Sequence, residues 1–191
     1  MAPAKSPLTE EQIAEFKERI KDDIDGDYDN NSYYAYRIHD DLIEEGDIAW
    51  ADTILEKIVD DCKDFRTIET ACEKLQEREE MDRFWSMVAK AEAMAEDSSD
   101  LISLADVVEE SDSTKSEALL KKAEDKAESV GNLINIAEKV EDNNKDWATK
   151  IYKKAEGKAD GLYDTKSLAE AVRKIDQDWS VKIYKKSEAL C

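Results

Sequence analysis

The sequence predicts an all-α protein: a right-handed solenoid of α-helical hairpins, with a repeat of about 32 residues and a capping helix at each end. Three observations carry that prediction. Residues 146–156, DWATKIYKKAE, and 178–188, DWSVKIYKKSE, share eight of eleven residues at a separation of 32. Between such segments, apolar residues recur at offsets 0, 3, 4 and 7, which is one face of a helix. Ala, Glu and Lys are abundant, the only prolines are Pro3 and Pro7, and no alternating β-branched run occurs.

The elements follow in chain order. Residues 1–31 hold a tail, a capping helix and an acidic turn. Thr9 and Gln12 form a capping-box pattern, and Ile13, Phe16, Ile20 and Ile24 give the helix 9–24 an apolar face. Residues 25–32, DGDYDNNS, read as a polar turn. Residues 32–191 form the repeat domain, one structural unit with helix 9–24.

Each repeat alternates two helices. The W-helix is clearest in the two long copies above, and fades backwards through LLKKAE at 119–124 and MVAKAE at 87–92 to WADTILEKI at 50–58. Taking the residue after its Lys as anchor gives Ile58, Ala91, Ala123, Ala155 and Ser187, in steps of 33, 32, 32 and 32. The L-helix carries Ile68, Ala71, Cys72, Leu75; Leu101, Leu104, Ala105, Val108; Leu133, Ile136, Ala137, Val140; and Leu168, Ala169, Val172. Ala35, Ile38, His39 and Leu42 make a poorer first copy. Short polar turns such as 141–144 join the helices, and Gly46, Gly131 and Gly161 read as helix-ending glycines.

One pair of short helices cannot bury its apolar face alone, but stacked pairs share a continuous core and touch only their neighbours. Small anchors let helix axes approach, while Trp, Ile and Leu fill the gaps. An up-and-down bundle is the alternative packing; near-constant spacing favours the open stack. The last W-helix, 178–191, has no L-helix after it and would cap that end.

Over residues 32–191 the repeat resembles helical-hairpin repeats of the tetratricopeptide-like class, with Trp147, Trp179 and alanines at repeat positions. It lacks that class's Leu-Gly pair and terminal Pro, and its period is two residues shorter. The resemblance implies a scaffold that binds other proteins on a concave surface.

Composition narrows the function. The 191 residues carry 48 acids and 28 bases, a net charge of −20; residues 1–80 alone hold 24 acids and 10 bases. Direct nucleic-acid binding needs clustered cations, so this balance speaks against it and against anionic membrane surfaces. No run of 18 apolar residues exists to span a bilayer, and MAPAKSPLTEEQ has no apolar segment of a secretory signal. Cys62, Cys72 and Cys191 form no CxxC, and His39 is the only histidine, so a zinc site or disulfide framework is not expected. A reducing cytoplasm fits. Cys191 could oxidise between molecules, or be an incidental thiol.

Five features are candidates for chemistry. Lys57, Lys90, Lys122, Lys154 and Lys186 precede the anchor in every repeat, and Lys121, Lys153 and Lys185 widen the row. Such a ridge would hold an acidic peptide, or merely answer glutamates on the adjacent helix. Trp50, Trp147 and Trp179 share a position that Arg83 and Lys115 fill in the middle copies; Tyr152 and Tyr184 share another. They read as wedges between repeats or as peptide anchors. Tyr33, Tyr34 and Tyr36, with Tyr28, form a cluster expected to make a contact site. Asp23, Asp25, Asp27, Asp29 and Asn30 suggest calcium, but an EF-hand loop counted from Asp25 or Asp23 lacks its Gly and its Glu. His39 reads as a packing residue, since no GxSxG, HExxH or phosphate loop accompanies it.

The expectation is a non-enzymatic, cytoplasmic scaffold, adaptor or assembly factor with a protein partner. It needs no cofactor and no metal, and binds neither nucleic acid nor membrane directly. The alternative is an acidic inhibitor or nucleic-acid mimic masking a basic target; a low-affinity metal-binding protein is the second.

Overall fold

The computed structural model describes residues 31–61 and 65–188. The expected helix 9–24, the acid run Asp23–Asn30, Cys62 and Cys191 lie outside the described residues. So do the side chains of Tyr33, Tyr34, Lys57, Ile58 and Ser187.

The described residues form ten α-helices and no strand. They are α1 (Asn31–Glu45), α2 (Ile48–Asp61), α3 (Phe65–Glu77), α4 (Met81–Met94), α5 (Ser98–Glu109), α6 (Ser113–Lys126), α7 (Val130–Val140), α8 (Lys145–Lys158), α9 (Leu162–Val172) and α10 (Gln177–Glu188). Odd-numbered helices are the expected L-helices and even-numbered ones the W-helices. The chain divides into two compact units, Met1–Met87 and Val88–Cys191.

Helix boundaries come from side-chain caps in place of proline. Asp97, Asp112, Ser129 and Asn144 cap α5, α6, α7 and α8, each accepting a backbone N–H from the first turn. Asp47 and Asp176 do the same for Trp50 and Trp179. Each cap satisfies a donor that the helix leaves free, worth about 1 kcal/mol. Gly46 ends α1 as expected: its φ of +85° lets its own N–H reach Ile43 and that of Asp47 reach Leu42.

The other two glycines correct the sequence reading. Gly131 sits inside the first turn of α7, and Gly161 is the extended residue before α9. Neither has a positive φ, because α6 and α8 end at Ala127 and Ala159 in extended conformation instead. The left-handed residue that sequence missed is Glu79, with φ of 58°, closing α3 through Glu79 N–H to Gln76 and Glu80 N–H to Leu75.

In the first unit, α1 packs on α2, and α2 on α3. Tyr36, Leu42, Ala51, Ile54, Leu55, Ile68, Ala71, Cys72 and Leu75 form its core. In the second unit the main pairs are α5 with α6, α7 with α8, and α9 with α10. The L-helices also touch in sequence, α5 to α7 and α7 to α9. All four expected faces from Ile68 to Val172 are buried, and Ala91, Ala123 and Ala155 are fully so. A buried methyl at each anchor is what allows neighbouring helices to meet closely. The fourth face has one unexpected member: Thr165 stands where α5 and α7 have Leu101 and Leu133. It is buried, and its hydroxyl donates to the Gly161 carbonyl at 2.7 Å. That back-bond satisfies the polar atom, so it can lie in an apolar row.

Candidate protein-interaction surface

The W-helices meet through a recurring acid. Glu92, Glu124 and Glu156 each follow the anchor alanine in the last turns of α4, α6 and α8. Two donors on the next W-helix, seven residues apart and so two turns along one face, flank each of them. Glu156 accepts from Trp179 Nε1 at 2.9 Å and from Lys186 Nζ. Glu124 accepts from Trp147 Nε1 at 2.7 Å and is paired with Lys154 Nζ at 3.6 Å. Lys154 also donates to the Glu124 carbonyl at 2.9 Å. Glu92 accepts from Lys115 Nζ at 2.5 Å and from Lys122 Nζ. Lys115 thus performs with an ammonium what the indole N–H performs in the next two repeats.

A second recurrence secures helix ends. Lys126 donates to the carbonyls of Ala95 and Glu96 at 3.0 Å each, and Lys158 to that of Glu128 at 3.3 Å. A cation at these C-terminal carbonyls satisfies free acceptors and complements the helix dipole.

The acids respond to this company. Partial burial pushes the Glu92 carboxyl up, but the Lys115 and Lys122 ammoniums outweigh it and hold it below the ordinary carboxylate value. Glu156 is lowered first by the Lys186 hydrogen bond, against burial, with help from the Trp179 N–H.

Of the expected lysine row, Lys122, Lys154 and Lys186 are therefore joined to the acid one repeat earlier. Lys90 is half-buried. The widening lysines behave differently. Lys121 pairs with Glu117 at 2.6 Å and lies 5.4 Å from the Trp147 ring centroid. Lys153 and Lys185 are exposed, and among the described residues their side chains have no partner.

The aromatic residues divide. Tyr152 is fully buried, its hydroxyl donating to Glu141 at 3.1 Å; burial and the neighbouring Glu141 push its pKa up. Trp147 and Trp179 are half-buried wedges. Trp85, two residues out of register, meets Phe84 edge to face at 4.8 Å. Tyr36 lies in the core of the first unit and donates to the Thr67 carbonyl, so it is not a surface residue. Tyr163, 82% exposed at the start of α9, is a surface aromatic that the repeat pattern did not single out.

His39 is buried, as a packing residue should be, but it is also wired into a charged network. Its Nε2 lies 3.2 Å from Arg78 Nη1, which can only donate. Nδ1 therefore carries the proton and donates to Asp40 Oδ1 at 3.0 Å. Asp40 also accepts from Lys74 at 2.9 Å. Arg78 bonds Asp52 at 2.6 Å and Glu80, and Arg83 bonds Asp52 at 3.0 Å and Glu80 at 2.8 Å. Burial raises the Asp52 carboxyl, and the two guanidiniums more than reverse it. Arg83 stands at the Trp position of its repeat; the acid of the later junctions is replaced there by Val59, and Arg83 turns to Asp52 and Glu80 instead.

A cleft of about 380 Å³ opens beside Trp147, lined by Ser113, Thr114, Lys139, Asn143 and Asn144 among others. Among the described residues no three His, Cys, Asp or Glu side chains converge as a metal site, and no helix is long and apolar enough to cross a membrane. Comparison with protein-family models, with curated proteins and with solved structures finds no match to this chain.

Proposed function

We propose that the protein is a non-enzymatic scaffold whose 32-residue hairpins stack as a right-handed helical-repeat solenoid and hold a protein partner. The observation that supports this most is the junction at Glu92, Glu124 and Glu156. Equivalent contacts between successive W-helices repeat surface positions from one hairpin to the next, which is how a repeat array builds an extended docking face. The junction spends its polar groups on neighbouring helices and leaves the outward positions of the W-helices to a partner.

The test is capture from the native host at 50 and 150 mM salt, followed by hydrogen exchange on the complex formed with the recovered protein. The scaffold reading expects slowed exchange along α4, α6, α8 or α10. Failure to recover any protein at either salt concentration, or protection confined to one small cleft, would overturn it.

A further inference from the structure

Most described cations in the second unit are engaged. Lys115, Lys121, Lys122, Lys139, Lys154, Lys166, Lys174 and Lys186 sit in ion pairs, and Lys126 and Lys158 on carbonyls. Among the described residues of 88–188, the structure gives no side-chain partner to Lys145, Lys150, Lys153, Arg173, Lys182 and Lys185. Four of these six share one face. Lys150 and Lys153 lie on the outer side of α8, and Lys182 and Lys185 on the outer side of α10, opposite the buried Ala148, Ile151, Ala155, Ser180 and Ile183. The same positions in α6 hold Ala118 and the paired Lys121, so this stripe belongs to the last two W-helices alone.

We propose that this stripe docks a short acidic helix of a partner protein, a segment with Glu or Asp three or four residues apart. The inference rests on the scaffold reading above and names its partner's chemistry. Residues three apart rise about 4.5 Å along a helix, which matches the spacing of carboxylates at i and i+3 or i+4. Glu156 fixes the stagger of the two columns. Trp179 and Lys186, which flank Lys182, both grip it, so Lys182 lies level with the end of α8 just beyond Lys153. The second pair of lysines therefore continues the first, one helix over. Val181, 46% exposed beside Lys182, offers an apolar contact within the stripe, and the lysine stems add to it.

The protein's net charge of −20 does not forbid this. At physiological salt the screening length is about 8 Å, so four local cations outweigh distant acids. It does limit the size of the ligand. Asp146 stands one turn before Lys150 with Asp142 in the turn beyond, at the stripe's outer end, while Asp178, one turn before Lys182, stands beside the first pair. DNA, with one charge per ~1.7 Å, would overrun the stripe into those acids, and so would an anionic membrane. A helix with four or five carboxylates would not.

The probe is a fluorescein-labelled 16-residue peptide with Glu at i, i+4, i+7 and i+11, titrated with the full chain and read by anisotropy. Saturable binding is expected at 50 mM salt, weakened at 200 mM. The variant Lys150→Gln/Lys153→Gln/Lys182→Gln/Lys185→Gln should lose at least tenfold in affinity. The control Lys145→Gln/Arg173→Gln, which removes the other unpartnered cations, should stay within twofold. Circular dichroism melts confirm that both variants fold. No binding at 50 mM salt, or equal losses in both variants, would overturn the proposal. So would tighter binding of a single-stranded oligonucleotide of equal charge, which would assign the stripe to nucleic acid. A captured host protein that protects other surfaces while the peptide fails would leave the scaffold reading standing and end this one.

Discussion

Glu156→Gln is the sharpest test of the junction between W-helices. Gln keeps the shape but has one acceptor oxygen where the carboxylate has two, and its amide N–H₂ repels a donor. Trp179 Nε1 at 2.9 Å and Lys186 Nζ both need an acceptor, so one of them loses it. Lys186 is 63% exposed and its pair contributes only about 0–1 kcal/mol. The indole N–H is half-buried, and weakening its bond to a charged acceptor costs roughly 0.5–1.5 kcal/mol. The expected total is about 0.5–2.5 kcal/mol. Urea melts followed by tryptophan emission measure it, with Trp147 and Trp179 reporting on the second unit. Glu156→Gln, Trp179→Phe and the double variant close a cycle whose coupling should be about 0.5–1 kcal/mol, because the two side chains share one bond. A loss below 0.3 kcal/mol for Glu156→Gln, or independent losses that simply add, would show that the junction is decorative.

Further expectations follow from single sites. Ala123→Leu and Ala155→Leu should each cost about 1–3 kcal/mol in the same melts, since both anchors are fully buried and have no room for three more carbons. Gly131→Ala should stabilise by about 0.5–1 kcal/mol: its φ is ordinary, and an added Cβ meets only Ser129 Oγ at 3.9 Å. The Cys72 thiol, buried and pushed up to about 12 by that burial and by Glu69 and Glu73, should resist iodoacetamide at pH 8 in the native chain and react once unfolded, read by peptide mass mapping. Glu92 and Glu156 are depressed in the folded chain, so their stabilisation is complete above their ordinary value of 4.5 and is lost as pH falls below it. The variant Glu92→Gln/Glu156→Gln should flatten that part of the pH–stability curve; an unchanged slope would contradict the assignment.

The repeat faces were legible because they obey one rule, apolar residues at 0, 3, 4 and 7, and every described member from Ile68 to Val172 is buried. Thr165 escaped because its hydroxyl finds a carbonyl within its own helix, a bond that the bare sequence does not display. The turns were harder. Gly131 and Gly161 looked like helix ends because glycine is the usual left-handed residue, yet among the described glycines only Gly46 takes that conformation. Glu79 takes it without glycine, held by two backbone hydrogen bonds. The capping residues Asp97, Asp112, Ser129 and Asn144 were in plain view before each helical run. Attention to side-chain oxygens before glycines would have placed those boundaries.

The junction was half legible for a more instructive reason. The lysine row emerged from periodicity, and so did the Trp position with its substitutes Arg83 and Lys115. What the two rows share is an acid at the anchor-plus-one position, Glu92, Glu124 and Glu156, which is equally periodic. Only a fold says that this acid meets donors 23 and 30 residues later. Once that is known, substitution at the Trp position becomes interpretable. Lys115 is tolerated because the junction needs a donor there, and an ammonium supplies one as an indole does. Lys115→Trp should therefore be nearly neutral, within about 0.5 kcal/mol, while Lys115→Met, similar in length but without a donor, should cost about 1 kcal/mol by leaving Glu92 with a single partner. Equal costs for Trp and Met would mean that this position selects for bulk, and that the recurring acid plays no part in joining one helix to the next.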